Sequence, residues 1–126
     1  MISEKDISIK SFDGEEITAS IFVPAEIKGL FIMAHSFKSD RREDGRFTEC
    51  GRRLAGRGIA AIAPDFRKVE RLSIENAEKD LEACYEYMMT NFSIPSDLLA
   101  ILGYSLGGRI AALFVKRNPE FNKIII

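Results

Sequence analysis

The sequence has 126 residues, 46% of them apolar and 29% charged, which suits one compact domain and excludes a disordered chain. A formal net charge of −1 and a pI near 5.9 leave no electrostatic footprint for nucleic acid or an anionic membrane. The opening Met1-Ile2-Ser3-Glu4-Lys5-Asp6 carries no apolar signal core and no run approaches a membrane span, so a cytoplasmic protein without nucleic-acid or membrane partners is expected.

Ile7-Ser8-Ile9-Lys10-Ser11-Phe12 alternates apolar and polar, the period of a half-exposed strand. Asp13-Gly14 is a turn signal, and Glu16 to Val23 predicts a second strand, so the two should form an antiparallel hairpin closed by Pro24. Gly29 to Ala34 is apolar on both faces, as a central parallel strand must be when helices cover both sides. Phe47, Cys50, Leu54 and Ala55 recur at helical spacing, and Gly56 or Gly58 can close that helix. Ile59 to Ala63 predicts the next buried strand. Ser73 can cap a second helix with Glu75 and Glu78 in its first turn and Ile74, Ala77, Leu81, Cys84, Tyr85 and Met88 on one stripe. Leu98 to Leu102 is a third buried strand, and a helix from Leu106 to about Arg117 ends at Asn118-Pro119. Lys123 to Ile126 begins a fourth apolar run. This alternation predicts an α/β fold with a three-layer, doubly wound, mostly parallel sheet.

Cys50 and Cys84 are far apart, with no CxxC and no histidine cluster, and are expected to be free thiols on helices against opposite sheet faces. His35 is the single histidine, which excludes zinc sites of the HExxH and Cys₂His₂ kinds.

The residues with chemistry lie between a buried strand and an apolar helix. Gly103-Tyr104-Ser105-Leu106-Gly107 is a G-x-S-x-G sequence in strand-to-helix context. A serine at such a turn projects its hydroxyl from the strand's C-terminal end, and small residues two positions either side let strand and helix approach. The helix starting beside it offers amides that favour a developing negative charge. The glycines fit neither G-x-G-x-x-G nor the P-loop, which argues against a nucleotide-binding domain.

With Ala34-His35-Ser36-Phe37 after the first central strand, the chain resembles the α/β-hydrolase superfamily, where an H-G-[FGW] motif stands at this point. The resemblance implies Ser105 as the nucleophile and the backbone N–H groups of Phe37 and Leu106 as the oxyanion hole. It implies that His35 supports the loop and does not act as the base. Ser36 stands where the family has glycine, and a need there for glycine-like backbone angles would strain or shift the oxyanion loop. Ala63-Pro64-Asp65-Phe66-Arg67 resembles a segment of feruloyl-esterase-like carboxylesterases and serine aminopeptidases, although Lys68-Val69-Glu70-Arg71 replaces its glycine-rich tail. Asp65 is read as a loop acid. Leu54-Ala55-Gly56-Arg57-Gly58-Ile59 and Ile94-Pro95-Ser96-Asp97 add to the likeness, which runs from about Ile7 to Ile126.

In that family the triad continues from Ser to Asp or Glu and then His. After Ser105 there is no histidine and one carboxylate, Glu120, which follows the last helix and returns to the far end of the sheet. A serine without a positioned base is a weak nucleophile. Residues 1–126 are therefore expected to be the N-terminal part of a single hydrolase domain, truncated after the strand that follows the nucleophile helix and inactive by itself. The expected activity is that of a serine esterase or acyl-peptidase on an ester or peptide substrate, without a cofactor. The alternative is a non-catalytic binding module of the same fold. The open edge after Lys123 predicts self-association.

Overall fold

The computed structural model describes residues 1–126. Strands β1 (Ile2–Lys10), β2 (Glu16–Pro24), β3 (Gly29–Ala34), β4 (Ile59–Pro64), β5 (Leu99–Gly103) and β6 (Lys123–Ile125) form one six-stranded sheet in the order β1-β2-β4-β3-β5-β6. β2 pairs antiparallel with both β1 and β4, while β4, β3, β5 and β6 are mutually parallel. Helices α1 (Arg46–Gly56), α2 (Ile74–Asn91) and α3 (Leu106–Arg117) supply the crossovers that parallel strands require.

Alternation along the central strands sorts side chains into two cores. Leu30 and Ile32 of β3, Ile62 of β4 and Ile101 of β5 pack with Leu81 and Met88 of α2 and Ile110 and Phe114 of α3. Met33 of β3 and Ala61 and Ala63 of β4 point the other way, onto Phe47 and Ala55 of α1 with Phe22 of β2. Each fully buried aliphatic side chain of this size contributes about 1.5–3 kcal/mol. Three layers result, with α1 on one face and α2 and α3 on the other. Cys50 packs in the α1 layer and Cys84 is buried under α2, so both are free thiols.

The local signals set most boundaries. The Ser73 hydroxyl accepts the Asn76 N–H at 3.0 Å and caps α2. α1 closes at Gly58, whose φ is +85°, and not at Gly56, which remains helical. β1 starts five residues before the alternating segment, at Ile2, because β2 offers ladder partners along its whole length from Glu16 to Pro24. Glu75 does sit in the first turn of α2, but Glu78 lies one turn on and is wholly buried. No helix is long and apolar enough to cross a membrane.

The strand order fixes where a site can form. From β3 the chain crosses to β4 on one side, whereas β5 leads to β6 on the other. The carboxyl ends of β3 and β5 thus flank a topological switch point, the place where open α/β sheets bind ligands.

Candidate functional site at the β3 and β5 carboxyl ends

Two loops meet at the switch point. Ladder pairing of Ala34 with Gly103 continues past the strands, where the Tyr104 N–H donates to the Ala34 carbonyl at 3.1 Å. Ser105 follows at φ 57°, ψ −118°, a backbone region that costs a non-glycine residue on the order of 1–3 kcal/mol. Two glycines make the turn possible. A Cβ on Gly103 would stand 2.4 Å from the Gly107 carbonyl oxygen, and one on Gly107 would stand 2.0 Å from the carbonyl oxygen of Ala34. Strand β5, helix α3 and the end of β3 therefore touch backbone to backbone.

The turn leaves donors available. Gly107 and Gly108 spend their N–H groups on the carbonyls of Tyr104 and Ser105, at 2.9 and 2.8 Å. Leu106, the first residue of α3, carries one of the amides a helix leaves without an intrahelical partner. Across the crevice, the N–H of Phe37 donates to no group of the chain. Ser105, Leu106 and Phe37 line one pocket of about 640 Å³, walled further by Leu72, Ile74 and Ile110. A wider groove of about 1020 Å³ runs between β1 and α2, away from these residues.

His35 is turned into the protein, with only 4% of its surface exposed. Its Nε2 faces the Phe66 N–H at 3.0 Å and must accept, so Nδ1 carries the proton and donates to the Ser36 carbonyl at 2.7 Å. The ring stacks on Phe66 with centroids 4.3 Å apart. Nε2 ties the β3 loop to the β4 loop and Nδ1 is held within the β3 loop, so neither is free to take a proton from Ser105.

Ser36 is not in a left-handed conformation; the residue with positive φ in this loop is Lys38, at 63°. In place of glycine-like angles, Ser36 brings two hydrogen bonds to Glu43, from its N–H at 2.7 Å and from its hydroxyl at 2.9 Å. Glu43 is 4% exposed. Burial works against its charge, but the Ser36 N–H and hydroxyl outweigh that and hold the carboxyl below its usual range. Glu43, Asp44 and Gly45 have successive positive φ values of 46°, 60° and 85°, which fold the chain back toward Ser36.

The remaining charged groups brace these loops. Asp65 accepts from the N–H and Nη1 of Arg41 at 2.8 and 2.9 Å, as a loop acid. Arg67 is buried against Asp80, with Nη2 to Oδ1 at 2.6 Å and Nε to Oδ2 at 2.9 Å, and reaches Asp13 at 2.8 Å. The Arg67 guanidinium holds Asp13 down to about 2. Glu120 accepts from the Tyr85 hydroxyl at 2.9 Å, beyond the C-terminal end of α3 and far from the site. No group of three His, Cys, Asp or Glu side chains is placed to hold a metal ion.

Sequence patterns alone missed Glu43, and they gave Arg67 a place in a motif but not its partners Asp80 and Asp13. The Asp44-Gly45 pair signals a turn, but nothing in it tells that the preceding glutamate reaches Ser36. The long ion pairs join residues from different elements and leave no periodic trace.

No protein-family model and no curated protein matches the sequence. Solved structures do resemble it. An α/β hydrolase, GrgF, from Penicillium sp. sh18 superimposes with a TM-score of 0.84 at 15% identity, covering 97% of this chain and 44% of its own. An esterase from Pyrococcus furiosus gives 0.80 at 20% identity, over 95% and 49% of the two chains. An S-formylglutathione hydrolase from Staphylococcus aureus gives 0.76 at 17% identity, over 96% and 55%. The chain therefore has the α/β-hydrolase fold, and it spans about half the length of these structures.

Proposed function

We propose that the chain carries the nucleophilic half of a serine hydrolase acting on a carboxylic ester or amide. Ser105 attacks the carbonyl, and the amides of Phe37 and Leu106 receive the charge that develops on its oxygen. The observation that carries this reading is the strained, non-glycine backbone of Ser105 in a pocket shared with Phe37. Strain of this kind is kept where it serves a reaction. The esterase and hydrolase names of the structural neighbours are in keeping with it.

The base and acid belong to residues outside these 126. His35 is committed on both nitrogens, and Glu120 lies at the far end. An oxyanion hole can act only once something makes the serine able to attack. We place the protein in the cytoplasm, a reading supported by the two unpaired thiols on opposite sheet faces. The same lack of a free histidine favours a second reading, a binding module that keeps the pocket without catalysis.

The test compares the 126-residue chain, its Ser105→Ala variant and a chain extended through the residues that follow. The short chain should hydrolyse p-nitrophenyl acetate no faster than Ser105→Ala. The extended chain should turn over and label at Ser105 with a fluorophosphonate. Labelling of the short chain at full stoichiometry would refute the missing base, and no labelling of the extended chain would leave the binding module.

A further inference from the structure

We infer that the pocket beside Ser105 selects substrates bearing an anionic group, held by Arg109. This rests on the serine-hydrolase reading for the word substrate, but the binding itself does not depend on it. Arg109 is the one charged residue among those lining the pocket, and no carboxylate lines it. Six arginines of the chain, Arg41, Arg52, Arg53, Arg67, Arg71 and Arg117, are held in ion pairs. Arg109, like Arg42 and Arg57 outside the pocket, makes no ion pair and no side-chain hydrogen bond, and it is exposed. Glu75 at the start of α2 is paired with Arg117 at 2.9 Å.

Position along the helix gives the geometry. Arg109 is the fourth residue of α3, one turn into the helix that starts directly after Ser105, and it lines the same pocket as the serine. Helical side chains lean toward the N-terminus, so the guanidinium is carried toward the serine. The α3 N-terminus adds its positive end of the helix dipole. Between the two, Leu106, Ile110, Leu72 and Ile74 form an apolar wall suited to a short methylene chain. A ligand that fits has an ester or amide carbonyl at Ser105, a short saturated spacer along this wall, and a carboxylate forked onto Arg109. The half-ester of a short dicarboxylic acid has this form.

The experiment is a titration of the 126-residue protein, followed by amide NMR shifts, with monomethyl adipate and with its neutral counterpart dimethyl adipate. Neither needs turnover to report. Monomethyl adipate should perturb Leu106, Arg109 and Ile74 and bind about tenfold tighter than the diester, the effect of one charge-assisted contact. Arg109→Gln should bring the two affinities together, and added salt should narrow the gap in the unaltered protein. Arg109→Lys should retain part of the preference, because the charge remains while the fork is lost. Equal binding of the two esters, no binding of either, or a preference that survives in Arg109→Gln overturns the inference. Because these readouts use no reaction at Ser105, each can fail while fluorophosphonate labelling of the extended chain succeeds, and the reverse.

Discussion

Gly107→Ala tests the backbone contact on which the site is built. The added methyl would meet the Ala34 carbonyl oxygen at 2.0 Å and the Ala34 carbon and His35 oxygen at 2.6 Å. All three are main-chain atoms at the end of a central strand, so no flexible side chain can yield. Overpacking costs about 1–3 kcal/mol where side chains can adjust, and the upper end applies here. For a domain of this size that lowers the melting temperature by roughly 10 °C. Gly56→Ala is the matched control: nothing lies within 4 Å of the position where its Cβ would go, and its backbone is helical. It should be neutral or raise stability by about 0.4–1 kcal/mol through the unfolded chain. Circular-dichroism melts of both variants beside the parent decide the matter. A Gly107→Ala melt within a degree or two of the Gly56→Ala melt would refute the close approach of α3 to the end of β3.

Replacing Ser105 by glycine should relieve its positive φ and stabilise the fold by about 1 kcal/mol, whereas Ser105→Ala should not; equal urea midpoints for the two would deny the strain. Asp80→Ala leaves the Arg67 guanidinium buried without its main partner and should cost about 3–5 kcal/mol in a urea melt, whereas Asp13→Asn at the water-exposed end of the cluster should shift the midpoint far less. Burial pushes the Glu78 carboxyl up to about 7, with Glu82 adding to the rise and Arg117 opposing it. The folded state then binds this proton more tightly than the unfolded one, so stability falls as pH rises from the ordinary glutamate range to about 7 and levels off above. Glu78→Gln should flatten that slope and be the more stable form at about pH 8, as denaturant midpoints across the range would report.

The readable parts of this molecule are those encoded by neighbours in sequence. Gly29 to Ala34 announced a central strand because every side chain is apolar, and the pairing confirms it between β4 and β5. Ser73 announced the start of α2 because its hydroxyl needs only the residue three positions on. The strand-to-helix turn at Ser105 was legible for the same reason, since strand, turn and helix follow one another. The Ser36 departure could be noticed but not resolved, because its answer is Glu43, seven residues on and across three left-handed residues. Glu78 read as a first-turn acid, and only the packing of α3, which brings Arg117 against it, shows why it is buried. Arg109 carried no motif at all; its meaning comes from being the one charge that lines the pocket of Ser105.

The Tyr104–Ala34 hydrogen bond also has a bearing on the order of assembly. The ladders that join β1, β2, β4 and β3 lie wholly within residues 2–64, whereas the second ladder of β3 and the α2 and α3 side of its core come later in the chain. The turn that holds Ser105 is fastened to the end of β3 by the Tyr104–Ala34 hydrogen bond and by the close approach of Gly107 to Ala34, and these residues arrive only after α2 and β5. Closing so distant a contact pays loop entropy before any reward. The contacts that fix the turn at Ser105 are therefore complete only once β5 has paired with β3. A slow step at that docking would delay the appearance of the pocket without delaying the bulk of the sheet.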